Sequence, residues 1–326
     1  MTSDSGKHVL AITANPAIDV TYCVNDLRPG ETNRIPAPHR RAGGKGINVA
    51  RVAHSQGHPA FVITTAGGHD GTSLRHDLEL SGIPHRIVPV AAETRRSIAF
   101  VDRTTKLTTI FNETGTALGH DEWQELRDTA NRCLTGASGF PSIGVLVGSG
   151  SLPPNAPPGF YGDLVRSAHS NGVPAIIDTT GHELIAAARS GADLLKPNHH
   201  ELTSTMNDPD LQSAARKLIQ AGAKTVLVSA GAEGMHAFTA DEPHRHWTAR
   251  LPQALDGNPT GAGDASVAAA AVAFCAGTSD PRTILRAAAA WGSAAVLMPL
   301  AGEISPRHQA IANQLHITLK DDLPCP

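Results

Sequence analysis

Short apolar runs bounded by Gly or Pro alternate with longer amphipathic stretches along most of this chain, the rhythm of βαβ units built around a parallel sheet. The runs predict strands at 8–13, 59–64, 143–148, 173–178, 192–196 and 224–229. The stretches between them predict helices over 45–56, 71–81, 120–134, 158–171, 182–190, 198–206 and 209–221. Several of these stop at a glycine, such as Gly57, Gly82, Gly172 or Gly222, as helices commonly do. The carboxy-terminal third reads as helical, with Ala-rich stretches at 264–276 and roughly 281–298. Two segments break the rhythm, 19–40 and 85–112. Within the second, Ser97-Ile-Ala-Phe-Val-Asp102 and Leu107-Thr-Thr-Ile-Phe111 predict hairpin strands with no helix between them. Such a small β-appendage is suited to cover a ligand cleft as a lid, and its open edges invite a second subunit. The expectation is a single α/β domain over 1–326, a three-layer core around a mainly parallel sheet, with a β-sheet lid formed by about 19–40 and 85–112.

Composition narrows the partners. With a formal net charge of −3, the chain offers no basic field for nucleic acid and no polybasic stretch for an anionic membrane. The run His8–Thr13 is too short for a signal segment or a membrane span, and Met1–Lys7 reads as a polar tail. Cys23, Cys133, Cys275 and Cys325 are widely spaced, which suggests neither a zinc site nor a disulfide framework and fits a reducing cytoplasm. The 17 histidines lack metal-ligand spacing. A small-molecule substrate, or a second copy of the chain, is the expected partner.

The strongest local signal is Asn258-Pro-Thr-Gly261-Ala262-Gly263-Asp264, which opens into an apolar helix. Free amides and the helix dipole make such a helix start an anion site, so the amides of 261–264 can hold a transferring phosphoryl group. Asp264 beside them can take the proton of an attacking hydroxyl. The plainer alternative is a capping turn in which Asp264 only complements the dipole. Gly261-x-Gly263-x-x-Ser266 lacks the third glycine of a dinucleotide fingerprint, which disfavours a nicotinamide dehydrogenase.

A second cluster, Arg41-Ala-Gly43-Gly44-Lys45-Gly46-Ile-Asn48-Val-Ala-Arg51, precedes the first helix. It is not a Walker A loop, because Gly46 stands where the magnesium-binding Ser or Thr would follow the lysine. Its glycines permit close approach to a polar ligand, with Lys45 and Asn48 as charge and hydrogen-bond donors; a glycine-rich helix start is the alternative.

These two clusters together resemble the PfkB/ribokinase family. The resemblance extends over about residues 8–305, through Asn15-Pro-Ala-Ile-Asp19, Thr94-Arg95, Gly150-Ser-Leu-Pro-Pro154, Asp178-Thr-Thr-Gly181, Lys196-Pro-Asn198-His-His-Glu201 and Val228-Ser-Ala-Gly231-Ala-Glu-Gly234 in the family's order. Within the family the chain is most similar to the branch containing 1-phosphofructokinase and tagatose-6-phosphate kinase. The resemblance implies a ribokinase-like, Rossmann-like fold and an ATP-dependent kinase for a ketohexose phosphate. Fructose 1-phosphate is the first expectation, with tagatose 6-phosphate or fructose 6-phosphate next. It implies Asp264 as catalytic base, with Gly261, Ala262 and Gly263 at the transferring phosphoryl group. Asp19 and Asn48 would bind sugar hydroxyls, Lys45, Arg95 and Ser151 the substrate phosphate, and Gly44 would also belong to the substrate site. Asp178, Lys196, Ser229, Gly231 and Gly234 would face the nucleotide. Asn198 and Glu201 would reach Mg²⁺, alongside their other reading as a capping box.

The resemblance has departures. Arg96 and Ser97 follow Arg95 where an Asn is often found, and Leu297-Met-Pro-Leu-Ala-Gly302 lacks a polar residue that often faces the nucleotide. A monovalent-cation site is therefore left open. A kinase for a free sugar or nucleoside, and a catalytically silent sugar-phosphate sensor, are the alternative functions. A homodimer through the lid is the expected assembly.

Overall fold

The computed structural model describes residues 6–105 and 107–322; most of the polar amino-terminal tail and Cys325 lie outside them. The expected βαβ rhythm runs through β1 (His8–Thr13), α1 (Lys45–Ser55), β4 (Ala60–Ala66), α2 (Gly68–Leu80) and β5 (His85–Pro89). It resumes with α3 (His120–Leu134), β8 (Ile143–Ser149), α4 (Phe160–Ser170), β9 (Ala175–Asp178) and α5 (Gly181–Arg189). After these come β10 (Leu194–Leu195), α6 (His199–Met206), α7 (Leu211–Ala221) and β11 (Thr225–Ser229). The seven strands lie parallel in the order β11-β10-β9-β8-β1-β4-β5.

Alternation along each strand builds the two faces of this sheet. Leu146, Ile177, Leu195 and Val226 pack into one core under α3 to α7, while their neighbours Val145, Ile176, Leu194 and Leu227 pack into the other. That second core is closed by α8 (Ala262–Cys275), α9 (Pro281–Val296) and α10 (His308–Gln314). The layers are therefore helix, sheet and helix, as expected.

Two expectations are corrected. The carboxy-terminal third is not wholly helical: β12 (Met235–Thr239), β13 (Arg245–Arg250) and β14 (His316–Asp321) extend the large sheet antiparallel beyond β11. Segment 85–89 does not join the small sheet either. As β5 it pairs with β4 at the far edge of the large one. The small sheet consists of β3 (His39–Gly43), β2 (Ala17–Val24), β6 (Arg95–Asp102) and β7 (Thr108–Asn112), in that order. Its inner pair is parallel and its outer pairs antiparallel.

Candidate active site

The carboxyl ends of the parallel strands, where open α/β sheets place their ligands, and the small sheet enclose a cavity of about 1310 Å³. Its middle is the start of α8. Gly261 caps that helix at φ 84°, a left-handed conformation that favours glycine, and an added Cβ would lie 2.7 Å from Ala301 Cα. Ala262 and Gly263 open the helix, so their amides belong to the turn that has no intrahelical acceptors. Asp264 follows as the third helical residue and is buried. Its Oδ2 accepts from Asn48 Nδ2 at 2.9 Å. Burial pushes its carboxyl up to about 7, against the charge of Lys45 and with that of Asp178, while the Asn48 hydrogen bond and Lys196 oppose the rise. A carboxyl held near neutrality at a helix start, in a cavity, is the combination expected of a general base beside an anion site.

The family model for pfkB carbohydrate kinases matches residues 8–307. The chain belongs to that family. Among curated relatives of this pfkB kinase, an ATP-dependent 6-phosphofructokinase isozyme 2 of Mycobacterium tuberculosis is 35% identical, with 91% of this chain and 86% of the relative covered. A 1-phosphofructokinase of Xanthomonas campestris is 31% identical, with 86% and 89% covered. A solved structure of phosphofructokinase-2 from Escherichia coli with fructose-6-phosphate superimposes with a TM-score of 0.82 at 29% identity, covering 94% of this chain and 98% of that one. The fold is the ribokinase-like α/β fold.

On the small-sheet side of Asp264 the kinase collects the residues expected at the sugar. Asp19 on β2 lies opposite Arg41 on β3. Its carboxyl rests on the Cα of Gly43, where an added Cβ would come within 2.1 Å of Asp19 Cγ. Burial raises Asp19 to about 6 against the charges of Arg41, Arg95 and Arg51. Gly44, Lys45, Asn48, Arg95 and Ser151 line the same wall. Arg95 is braced by the chain itself: Nε and Nη2 donate to Asn15 O at 3.3 and 3.1 Å, and Nη1 donates to Glu113 O at 3.0 Å. Asn15 Nδ2 in turn donates to Ser151 Oγ at 3.2 Å, tying the end of β1 to the loop after β8.

Lys45 is placed between the carboxylates of Asp178 and Glu201. Its Nζ is 3.3 Å from Asp178 Oδ1 and 3.7 Å from Glu201 Oε1. Burial works against its charge, but the carboxylates of Asp178, Glu201 and Asp264 hold its pKa above the usual lysine range. Asp178 itself is not part of the cavity wall. It is buried beside Lys45, to which it is paired, and Ser149 Oγ donates to its Oδ2 at 3.2 Å.

Lys196, Asn198, Glu201, Ser229, Gly231 and Gly234 do line the cavity. Lys196 Nζ lies over Gly263, within 3.2 Å of where a Cβ would stand. Asn198 Oδ1 accepts from Glu201 N and Glu201 Oε2 accepts from Asn198 N, both at 2.9 Å. That is the capping box read in the sequence. Among the described residues no three His, Cys, Asp or Glu side chains converge to hold a metal ion. A hydrated Mg²⁺ carried on nucleotide phosphates does fit, since it keeps most of its waters and Glu201 Oε1 is not used by the cap.

Two parts of the wall were missed. Asn15 and Arg41 stand inside quoted motifs, but nothing in a single sequence separates them from their neighbours. A slot of small and apolar groups formed by Leu251, Leu255, Ala289, Gly292 and Val296 also lines the cavity. In an Ala-rich helix such positions carry the same signal as core packing.

Proposed function

We propose that this pfkB kinase transfers the γ-phosphoryl group of Mg·ATP to a ketohexose phosphate, with Asp264 as base. The single observation that carries the reading is the buried Asp264 carboxyl, held near neutrality and bonded to Asn48, in one cavity with Arg95 and Ser151. Asp264 takes the acceptor hydroxyl proton as the new O–P bond forms. The bond from the γ-phosphorus to the bridging oxygen breaks, ADP leaves, and the proton remains on Oδ until solvent takes it. The amides at 261–263 and the cations Lys45 and Lys196 carry the charge spread over the phosphoryl oxygens. Mg²⁺, when bound with ATP, would neutralise phosphate charge, and Glu201 with Asn198 would hold its waters. The slot at Gly292 and Val296 is suited to the flat, largely apolar base of the nucleotide, and Ser229, Gly231 and Gly234 to its ribose and phosphates.

Fructose 6-phosphate becomes the first choice of acceptor, supported by the 6-phosphofructokinase name of the mycobacterial relative and by the ligand in the Escherichia coli structure. Fructose 1-phosphate follows, supported by the Xanthomonas relative and by Lys45 in the Gly-Gly-Lys-Gly turn. A panel of fructose, fructose 1-phosphate, fructose 6-phosphate, tagatose 6-phosphate and a nucleoside, assayed with Mg·ATP, separates the choices. We expect a phosphorylated ketohexose to exceed fructose in kcat/KM by at least ~10²-fold, the scale of a desolvated charge pair. Arg95→Met should raise the KM of that acceptor at least ~10-fold with little change in the KM for ATP. Equal turnover of fructose would sink the phosphosugar reading, and tight binding without ADP release would establish a sensor. Since a complex of the Escherichia coli enzyme with potassium has been solved, K⁺ belongs among the varied components.

The small sheet as a dimer surface is also part of the proposal. Leu107, Ile110 and Phe111, at and before β7, are 67%, 41% and 59% exposed. Such an apolar edge is a liability for a lone subunit and an interface for two. Sedimentation should find a dimer, and Phe111→Asp should shift it toward monomer; a wild-type monomer at micromolar concentration would refute this.

A further inference from the structure

The proposed mechanism gives Arg41 no part, although it lies on β3 at the cavity wall, where the small sheet meets the body of the protein. Its Nη1 donates to Glu303 Oε1 at 2.9 Å. Glu303 follows Ala301 and Gly302, in the loop after α9 that packs against Gly261. The other end of the guanidinium is unusual. Arg41 Nη2 is buried with no hydrogen-bond partner, and so is Asn48 Oδ1, the free end of the side chain that donates to Asp264. The donor and the acceptor meet at one place: a Cβ on Gly302 would lie 3.1 Å from Asn48 Oδ1 and 3.6 Å from Arg41 Nη2. Buried polar groups are almost always paired, and Arg41 Nη2 and Asn48 Oδ1 are complementary orphans; Arg51, whose Nε is likewise buried without a partner, reaches the same point through its Cδ at 3.1 Å but already donates through Nη2 to Asp77 and Ala42 O.

We infer that Arg41 is a positioning residue for the base: on closure of the small sheet its Nη2 donates to Asn48 Oδ1, completing a chain Glu303–Arg41–Asn48–Asp264. The inference rests on the reading of Asp264 as base. Its chemistry is simple. An amide whose oxygen accepts from a guanidinium is a stronger donor through its nitrogen, so Asn48 holds the ionised form of Asp264 more firmly. The same chain couples the position of the small sheet to the readiness of the base.

The groups facing Asp264 are Lys45 and Asn48 from α1, Asp178 at the end of β9 and Lys196 just beyond β10. Those acting on Arg41 are Arg51 from α1, Glu303 from the loop after α9 and Asp19 from β2. None of these is altered when the second guanidinium nitrogen alone is lost. Removing it therefore weakens the support of the ionised carboxylate, and the acid limb of activity moves to higher pH.

The test is the pH profile of kcat in the full-length protein, with Mg·ATP and the preferred phosphosugar of the panel both saturating. Arg41→Lys keeps a cation for Glu303 but loses the planar fork whose second nitrogen is directed at Asn48. It should lower kcat at pH 7 by roughly 2-fold or more and move the acid limb up by about half a pH unit or more, with the KM for ATP unchanged. Glu303→Gln, at a partly exposed side chain, should move the limb in the same direction by a smaller amount; it serves as the second variant if the lysine exchange disturbs folding. An ion pair with only a structural role would be rescued by lysine, so a wild-type limb in both variants overturns the inference. A rise confined to the sugar KM overturns it too, making Arg41 an acceptor ligand. In either case the base assignment survives if Asp264→Ala abolishes turnover, and that assignment fails on its own if Asp264→Ala does not.

Discussion

Asp264→Ala should reduce kcat by at least ~10²-fold while leaving the fold and the binding of Mg·ATP in place, the loss expected on removal of a general base. Asp264→Asn should do the same, because the amide keeps the volume and a hydrogen bond with Asn48 but cannot take a proton. The pH dependence has a definite sign. The base works ionised, so wild-type kcat should fall as pH drops through about 7, the value to which burial has raised the carboxyl. Stability should move the other way. A carboxyl whose pKa is about 7 in the folded chain, against an ordinary value near 3.8, binds its proton more tightly folded than unfolded. Its ionisation destabilises the fold progressively between those two values. At pH 8 Asp264→Asn should therefore melt at or above the wild-type temperature even though it is inactive. Calorimetry at pH 5 and pH 8 checks this: the difference between variant and wild type should grow with pH. Full activity in either variant would remove Asp264 from the chemistry.

Six of the seven parallel strands, all but β5, were legible because their central residues are buried on both faces, giving continuous apolar runs that need no periodicity to be seen. The antiparallel half was not. In β14 the order His316-Ile-Thr-Leu-Lys-Asp321 buries alternate positions only in part, and β13 carries Arg245, His246 and Arg250, so neither stands out from a polar loop. β5, with His85 and Arg86 at the sheet edge, was drawn into the irregular segment beside it for the same reason. At the site, glycines and a carboxylate at a helix start have a chemistry that can be read from their order alone. The contacts of Asp178 cannot be read this way. Its place at a strand end pointed to the ligand, and only the packing of α1 against the sheet reveals its pairing with Lys45. The Arg41–Glu303 contact joins residues 262 positions apart, a separation that no local pattern reports.

That buried arrangement sets the second large effect, at Lys45. Lys45→Met should lower kcat/KM at least ~10²-fold, since it removes one of the cations facing the transferred phosphoryl group and leaves Asp178, Glu201 and Asp264 with less to balance them. It should also cost stability. Asp178 is only 1% exposed, and with the lysine gone Ser149 is its remaining side-chain donor among the described residues. Breaking a fully buried pair costs ~3–5 kcal/mol; here about 2 kcal/mol is the better expectation, because the lysine side chain is 38% exposed and water in the cavity screens the charge left behind. The two losses have separate causes and can be separated. Adding Asp178→Asn to Lys45→Met removes the uncompensated charge, so the double variant should regain most of the melting temperature while remaining as inactive as the single one. Asp178→Asn alone should be far less damaging to turnover than Lys45→Met, since Asp178 is not among the residues lining the cavity and the exchange acts by loosening the lysine. Were Asp178→Asn to abolish nucleotide binding with Lys45 still ordered, the aspartate would face the ligand after all, and the layered order of carboxylate, lysine and phosphate would be wrong.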